Sequence, residues 1–348
     1  MTNAKARAVN GPKDTFQATT IERRTVGPKD ILIEIKFVGI CHSDIHTARG
    51  EWGQITYPFV PGHEIAGIVT EVGSEVTKHK VGDRVGVGCL VNSCGVCEYC
   101  KQGDEHYCIN GSVGTYASVD KYGDGKLTQG GYSSHVVVTE NFVVRIPDGL
   151  ELDEAAPLLC AGITTYSPLR HWNAGPGVKV GVLGMGGLGH MAVKLAHAMG
   201  AEVTVLSHSD KKREDSQRFG ADHYVNTSDE GALESLKGSL DLIINTVSIT
   251  TETNQYLALL RPQGTMCNVG APSEPLAVNA FSLLAGRKSL SGSNIGGIRE
   301  TQEMLDFCAE HNITPQIEKI TAEQIDEAYE RVVNSDVHYR FVIDNATL

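Results

Sequence analysis

No stretch of the 348-residue sequence approaches the roughly 18 to 20 consecutive apolar residues that a bilayer-spanning helix needs, so a membrane-embedded chain is not expected. The opening MTNAK leads into no apolar segment, and a secretory signal is not expected either. Internal repeats and low-complexity tracts are lacking. Basic charge is in deficit: 30 Lys and Arg stand against 42 Asp and Glu, a net charge of -12 that would repel a phosphate backbone. Nucleic-acid binding is therefore excluded as the main expectation. What remains is an ordinary globular composition, 41% hydrophobic and 21% charged, in a chain too long for a single core. Two domains are expected.

Cysteine is the residue present in excess. Nine cysteines, an odd number, suit a reduced cytoplasmic protein better than a disulfide framework. Four of them, Cys94, Cys97, Cys100 and Cys108, follow a Cys-x2-Cys-x2-Cys-x7-Cys pattern that offers four thiolates on one loop to a tetrahedral structural zinc. A ferredoxin-type cluster begins the same way, but its fourth cysteine follows after three residues and precedes proline, whereas Cys108 precedes Ile109. Cys41, His63 and Cys160 form a second, scattered set: two thiolates and one imidazole, with a fourth position open to water or a substrate oxygen. They share no local register, so spacing alone leaves them between a catalytic site and inert packing. Cys89, Cys267 and Cys308 sit in apolar runs and read as packing, and His42, His79, His106 and His135 as ordinary surface or core histidines.

The pattern of the chain changes near its middle. Before residue 150, short β-type runs at 31–35, 67–72, 84–87 and 135–138 are separated by Gly and Pro, as in a compact, barrel-like β domain. From 178 onward short apolar strands alternate with amphipathic helices, the signature of a parallel sheet. Strands are expected at 178–183, 202–206, 223–225, 242–244, 265–269 and 288–292, with a helix carrying Leu188, Met191, Ala192, Leu195, Ala196 and Met199 on one face and closed by Gly200. The fold class is α/β. The tail from 301 starts as a helix, ends in a strand at 339–343, and is expected to return to the first domain.

Between the first of these strands and the helix lies GMGGLG, residues 184–189. Gly184 permits the tight turn, Gly186 the approach of a pyrophosphate, and Gly189 close helix–strand packing, while the helix N-terminus offers free N–H groups to the phosphates. Met185, Gly187 and Leu188 complete this dinucleotide turn. The second strand ends without the carboxylate that holds a ribose 2′-OH: Ser207, His208, Ser209, Asp210, Lys211, Lys212 and Arg213 stand there instead. Hydroxyls followed by three cations suit a 2′-phosphate and hence NADP(H). Asp210 leaves NAD open, as does a reading of this stretch as a capped helix start with solvated cations.

In the order and spacing of PGHE at 61–64, the four-cysteine loop and the glycine turn, the chain resembles the zinc-dependent medium-chain alcohol dehydrogenases. More narrowly, GICHSDIH at 39–46, APLLCAGITTY at 156–166 and YRFVID at 339–344 are similar to the cinnamyl alcohol dehydrogenase group and its bacterial NADP-dependent aldehyde reductase relatives. The likeness covers essentially the whole chain. It implies a discontinuous, β-rich GroES-like catalytic domain at 1–150 and 294–348 and a Rossmann cofactor domain at 151–293. It also implies two zinc ions per chain, NADP(H), and interconversion of primary alcohols with aromatic, cinnamyl and aliphatic aldehydes. Cys41, His63 and Cys160 match the catalytic zinc ligands, and Glu64 an acidic neighbour that approaches the metal. Asp44 matches a carboxylate orienting His63, Ser43 the hydroxyl that takes the alcohol proton and touches the cofactor, and His46 the outer member of the proton relay.

Further cofactor contacts follow from the same likeness. Thr164 and Gly270 match residues beside the nicotinamide, Thr246, Ser293, Asn294 and Ile295 other cofactor contacts, and Arg340 a pyrophosphate contact. Residues 207–212 match the 2′-phosphate loop, with His208 where a second serine is common. Trp52 and Tyr57 are candidates for a substrate pocket, and 111–114 lacks the bulky aromatic of plant members, which implies broader substrate tolerance. A homodimer joined through the cofactor domain, with the strand near 289–293 at its edge, is implied as well. The competing readings are a zinc-independent quinone or enone reductase of the same fold, a non-catalytic NADP-binding sensor, and a zinc-ribbon interaction module.

Overall fold

A computed structural model describes residues 2–249, 251–272 and 274–348. The chain forms two compact units, Met1–Ile163 with Gly296–Leu348, and Thr164–Ile295. No helix among the described residues is long and apolar enough to cross a membrane.

The first unit is organised by the strand Asp30–Gly39, whose alternating isoleucines 31, 33 and 35 are all buried. Along one edge it pairs antiparallel with Ile65–Val72, which continues to Arg84–Val87 and Val144–Arg145. Along the other it takes two partners in succession, His135–Thr139 at its start and Arg340–Asp344 at its end. Arg340–Asp344 in turn pairs with Ile317–Ile320, so the tail completes this sheet. The strand expected at 31–35 thus extends in both directions because it has strand neighbours on both edges near each of its ends.

Sequence reading puts the chain's crossings between domains at 150/151 and 293/294, whereas the units divide at 163/164 and 295/296. The physical reason is the helix Leu152–Pro157, which packs on the strands Asp30–Gly39, Ile65–Val72 and Arg340–Asp344. It carries the following turn, Leu158–Gly162, into the first unit, and Cys160 with it.

The second unit is a six-stranded parallel sheet. Numbered in chain order, its strands are Lys179–Leu183, Glu202–Ser207, His223–Asn226, Leu240–Asn245, Leu260–Asn268 and Ser289–Gly292, and they lie in the spatial order 3-2-1-4-5-6. That is the doubly wound arrangement of a dinucleotide-binding fold, with its switch point between the first and fourth strands. The helix Gly187–Ala198 buries Met191, Ala192, Val193, Leu195 and Ala196, while Leu188 and Met199 are only half-buried. The fifth strand begins earlier than expected, at Leu260, because it pairs with the fourth from Leu240 onward.

A buried arginine fastens the first unit around its loops. Arg23 donates from Nε to the His135 carbonyl at 2.8 Å, from Nη1 to Gln129 O at 2.7 Å, and from Nη2 to Gly130 O and Ser133 Oγ, both at 2.7 Å. Burial, and then the neighbouring Arg24, press its pKa down to about 10, so it stays charged at neutral pH. The segment it holds packs on the loop bearing His63, through Gly131 N to Gly62 O at 2.8 Å and Tyr132 N to Pro61 O at 2.9 Å. Arg23→Met leaves several buried acceptors without a donor and is expected to destabilise this unit by about 3 kcal/mol, read as a lower urea midpoint. An unchanged midpoint would contradict this role.

Candidate active site and metal centres

The helix His42–Ala48 begins at Cys41, in extended conformation (φ -119, ψ 155). Asp44, three residues on, accepts the Cys41 backbone N–H on Oδ2 at 2.9 Å, closing the first turn. Its other oxygen accepts from Gly62 N at 3.0 Å and lies 2.9 Å from His63 Nδ1. One fully buried carboxylate thus fixes the backbone before the helix, the loop Pro61–His63, and the ring of His63, whose Nε2 is left for a metal. Burial opposes a charged imidazole, but Asp44, Cys89 and Cys41 together raise the His63 pKa well above its ordinary value.

His63, Cys41, Cys160 and Glu64 converge with their ligand atoms within 4.8 Å of one another. The Cys41 and Cys160 sulfurs are 3.9 Å apart. Tetrahedral zinc–thiolate bonds of about 2.3 Å set sulfurs about 3.8 Å apart, and a disulfide would need about 2.05 Å. None of the nine cysteines is in a disulfide. Glu64 is wholly buried; its Oε1 accepts from Arg340 Nη2 at 2.5 Å, while Oε2 has no hydrogen-bond partner. That orphaned oxygen occupies the space a side chain at residue 39 would fill, since a Cβ on Gly39 would lie 1.8 Å from it. Two sulfurs, one imidazole and an unsatisfied carboxylate oxygen fit a divalent, borderline-soft cation. Burial, only partly offset by Arg340, pushes the Glu64 pKa up to about 7.

Arg340, matched in sequence to a pyrophosphate contact, is buried here and donates to Glu64 and to Ile40 O at 2.9 Å. Ser43 Oγ lies 3.7 Å from Cys41 Sγ. His46, one turn further along the same helix face, has Nδ1 at 2.5 Å from Glu51 Oε2 and its ring stacked on Trp52 at 4.9 Å. Sequence reasoning missed Glu51, which a loop turning back on the helix brings to His46 through Glu51 N to His46 O at 2.9 Å. It also missed Tyr116, packed edge-on against the His63 ring at 5.4 Å. Cys89, read as inert packing, lies 4.0 Å from the Leu159 carbonyl and has its pKa lowered chiefly by the Cys160 thiol. Tyr116 and Cys89 make their contacts across the fold, where no local spacing signals them, whereas Glu51 is only five residues from His46 and depends on the turn that follows the helix.

The second cluster is local. Cys97 caps the short helix Glu98–Gln102, which ends at Gly103 in the left-handed region (φ 88) and so turns the chain back toward Cys108. The Sγ atoms of Cys94, Cys97, Cys100 and Cys108 lie within 4.8 Å of one another, with Cys94–Cys100 at 3.8 Å and Cys97–Cys100 at 3.4 Å. Backbone N–H groups of Cys97 and Cys100 point at the sulfurs of Cys94 and Cys97, at 3.4 and 3.5 Å. The Asn110 side chain, followed by the N–H groups of Val96 and Cys97, draws the Cys94 pKa down to about 5. Four sulfurs with thiolate-stabilising donors and no outside carboxylate fit a closed structural zinc.

In the second unit the glycine turn is built as its chemistry demands. Gly184 has φ +91, and a Cβ on Gly189 would lie 2.1 Å from the Gly184 carbonyl. A Cβ on Gly186, at the N-cap of the helix, would meet nothing within 4 Å, leaving open space before free N–H groups that a pyrophosphate fits. Thr246 Oγ1 donates to Leu183 O at 2.9 Å and so braces this turn, and Gly270 packs against the Val247 carbonyl, 2.3 Å from where its Cβ would be. Met185 and Thr164 are buried, and Ser293 N donates to Asn268 O at 3.1 Å, just before Asn294 and Ile295 (φ 43). Ser207 ends the second strand, and His208 and Lys211 are exposed beyond it, with Ser209 and Lys212 half-buried.

Two chemically distinct clusters predict separable metals. Zinc analysis of the purified chain is expected to give two ions per chain, and Cys100→Ser is expected to give one, with a lower melting temperature. Retention of both ions by Cys100→Ser would rule out the four-sulfur site.

The comparisons with known proteins agree with this geometry. The alcohol dehydrogenase GroES-like domain family matches residues 27–148, and the zinc-binding dehydrogenase family matches residues 187–310. The chain is 62% identical to NADP-dependent alcohol dehydrogenase C 1 of Mycolicibacterium smegmatis, over 100% of this chain and 99% of that protein. Among solved structures, a cinnamyl alcohol dehydrogenase from Sorghum bicolor superposes with a TM-score of 0.96 at 45% identity, covering 99% of this chain and 98% of the other. The Helicobacter pylori cinnamyl alcohol dehydrogenase complexed with NADP(H) gives 0.93 at 44% identity, with 99% and 98% covered. With its two sulfurs and one imidazole beside a free carboxylate oxygen, its four-sulfur loop and its glycine turn, the chain belongs to the zinc-dependent medium-chain alcohol dehydrogenases, in their cinnamyl alcohol dehydrogenase group.

Proposed function

We propose that this protein interconverts primary alcohols and aldehydes by hydride exchange with NADP(H), acting on aromatic and cinnamyl aldehydes and tolerating aliphatic ones. The observation that carries the reading is the convergence of Cys41, His63, Cys160 and Glu64, all but Cys41 buried, with their ligand atoms within 4.8 Å of one another. When bound, zinc supplies Lewis acidity to the reacting oxygen and the nicotinamide exchanges hydride with the adjoining carbon.

The chain's own residues do the rest. Asp44 holds His63 in the tautomer that presents Nε2 to the metal. Ser43 takes the alcohol proton in oxidation and returns it in reduction, and His46, paired with Glu51, passes it toward solvent. Gly186 and the helix behind it receive the pyrophosphate, and Ser207, Ser209, Lys211 and Lys212 receive the 2′-phosphate. Thr164, Thr246, Gly270 and the segment 293–295 complete the cofactor contacts. The absence of an aromatic side chain at 111–114 supports a tolerant substrate site.

A zinc-independent reductase of the same fold would have no use for two thiolates converging on His63, and a non-catalytic sensor none for Ser43 and His46. Cys160→Ser and His63→Ala are expected to lower kcat with cinnamaldehyde by about a thousandfold or more, with one zinc lost per chain. Near-normal turnover after loss of that zinc would overturn the assignment. Wild-type kcat/KM is expected to be higher with NADPH than with NADH, and the reverse order would refute the cofactor reading.

The same reading includes a homodimer in a reducing, cytoplasmic setting. Nine cysteines, none of them in a disulfide, support the setting. For the dimer, the strand Ser289–Gly292 lies at the edge of the parallel sheet, and Phe281 and Leu284, on the helix just before it, are 75% and 70% exposed. Light scattering is expected to give twice the 37.4 kDa chain mass, and Phe281→Glu with Leu284→Glu to give a monomer. A monomeric wild type would refute it.

A further inference from the structure

Asp210 is the one acidic residue in the loop after the second strand of the parallel sheet, where an NAD enzyme would use a carboxylate and a 2′-phosphate would be repelled by one. Its surroundings take that carboxylate out of play. Arg213 donates to a single oxygen, Oδ1, from both Nε at 3.1 Å and Nη2 at 2.6 Å. The second oxygen, Oδ2, accepts from Asn226 Nδ2 at 3.4 Å. Both oxygens are thereby engaged by groups from the helix Arg213–Arg218 and the strand His223–Asn226.

Arg213 is itself held in place. Its Nη1 donates to the Tyr224 carbonyl at 3.2 Å, and its guanidinium lies over the Tyr224 ring at 4.6 Å. The Tyr224 hydroxyl reaches back to the Ser209 carbonyl, and Ser228 Oγ donates to His208 O at 2.8 Å. The loop is therefore pinned to Tyr224 of the third strand before and after Asp210, and to the turn beyond that strand through Ser228. Beside the Asp210–Arg213 pair, the other cations of this loop are Lys211, which is exposed, and Lys212, which is half-buried.

We propose that Arg213, seated on Tyr224, is a specificity-determining positioning residue: it neutralises and turns aside Asp210, and so keeps this loop selective for a 2′-phosphorylated dinucleotide. The inference rests on the NADP(H) reading above. It identifies Asp210 as a latent NAD-type carboxylate that one neighbouring cation suppresses.

Isothermal titration of the zinc-loaded full chain with 2′,5′-ADP and with 5′-AMP tests it without turnover. Wild type is expected to bind 2′,5′-ADP more tightly than 5′-AMP. Arg213→Met is expected to weaken 2′,5′-ADP about fivefold, with less than a twofold change for 5′-AMP, and the loss should shrink as salt is raised. In an Asp210→Asn background the same Arg213→Met change is expected to cost less than twofold, because no carboxylate remains to be suppressed. Arg213→Met without effect on 2′,5′-ADP would overturn the proposal. So would a fivefold loss that persists in the Asp210→Asn background, which would make Arg213 a direct phosphate ligand. A wild type that binds both nucleotides equally would instead refute the underlying NADP(H) reading. Circular dichroism melts identify any variant whose loss reflects unfolding, and Arg213→Lys, which keeps the charge, is expected to restore most of the 2′,5′-ADP affinity.

Discussion

The candidate catalytic centre depends on one buried carboxylate. Asp44 accepts hydrogen bonds from the backbone of Cys41 and Gly62 and meets the ring of His63, so three parts of the chain are tied through two oxygens. A buried carboxylate is costly unless each lone pair is used, and here the cost is offset by charge-assisted bonds that also define the site. Gly62 can serve because it adopts φ +102 and lies against Tyr132, whose Cδ1 would be 2.6 Å from any Cβ there. Cys41 and His63, two of the candidate metal donors, are thus fixed by the same interactions that hold the loop Pro61–His63.

Glu64 and Arg340 form a second buried pair with a different consequence. Arg340 satisfies Glu64 Oε1 and the Ile40 carbonyl and leaves Oε2 unpaired, in a carboxylate that converges with two cysteine sulfurs and an imidazole. A buried pair left half-satisfied costs stability, and such groups persist where they serve a function. Arg340 lies on the strand that the C-terminal segment adds to the central sheet, so the tail supplies the counter-charge of the site as well as a strand. The four-sulfur loop shows the contrasting economy: its donors are close in sequence, its thiolates are stabilised by its own backbone, and its role is confined to holding the loop.

The cofactor unit follows a similar division of labour. Its glycine turn is rigidly specified, with Gly189 against the Gly184 carbonyl and Thr246 bracing the strand end. The loop after the second strand is specified by charge pairing instead, through Asp210, Arg213 and the Tyr224 platform. Shape therefore receives the part common to all dinucleotides, and electrostatics the part that distinguishes them.

Much of this was legible in the sequence because the signals are local. The spacing of Cys94, Cys97, Cys100 and Cys108 defines a closed site on one loop, and GMGGLG between an apolar strand and a helix defines a phosphate turn whatever surrounds it. The six short apolar strands at 178–292 and the change of period before them were equally readable, since alternation is a property of neighbouring residues. The tertiary structure alone decided that Cys160 belongs to the first unit, because the helix before it packs on that unit's strands. It alone turned Arg340 toward Glu64, set Glu51 and Trp52 against His46, and paired Asp210 with Arg213 on Tyr224. Arg340 and Glu64 are 276 residues apart, and even the short separations of Glu51 from His46 and of Arg213 from Asp210 become pairs only because loop and helix geometry turns those side chains toward each other.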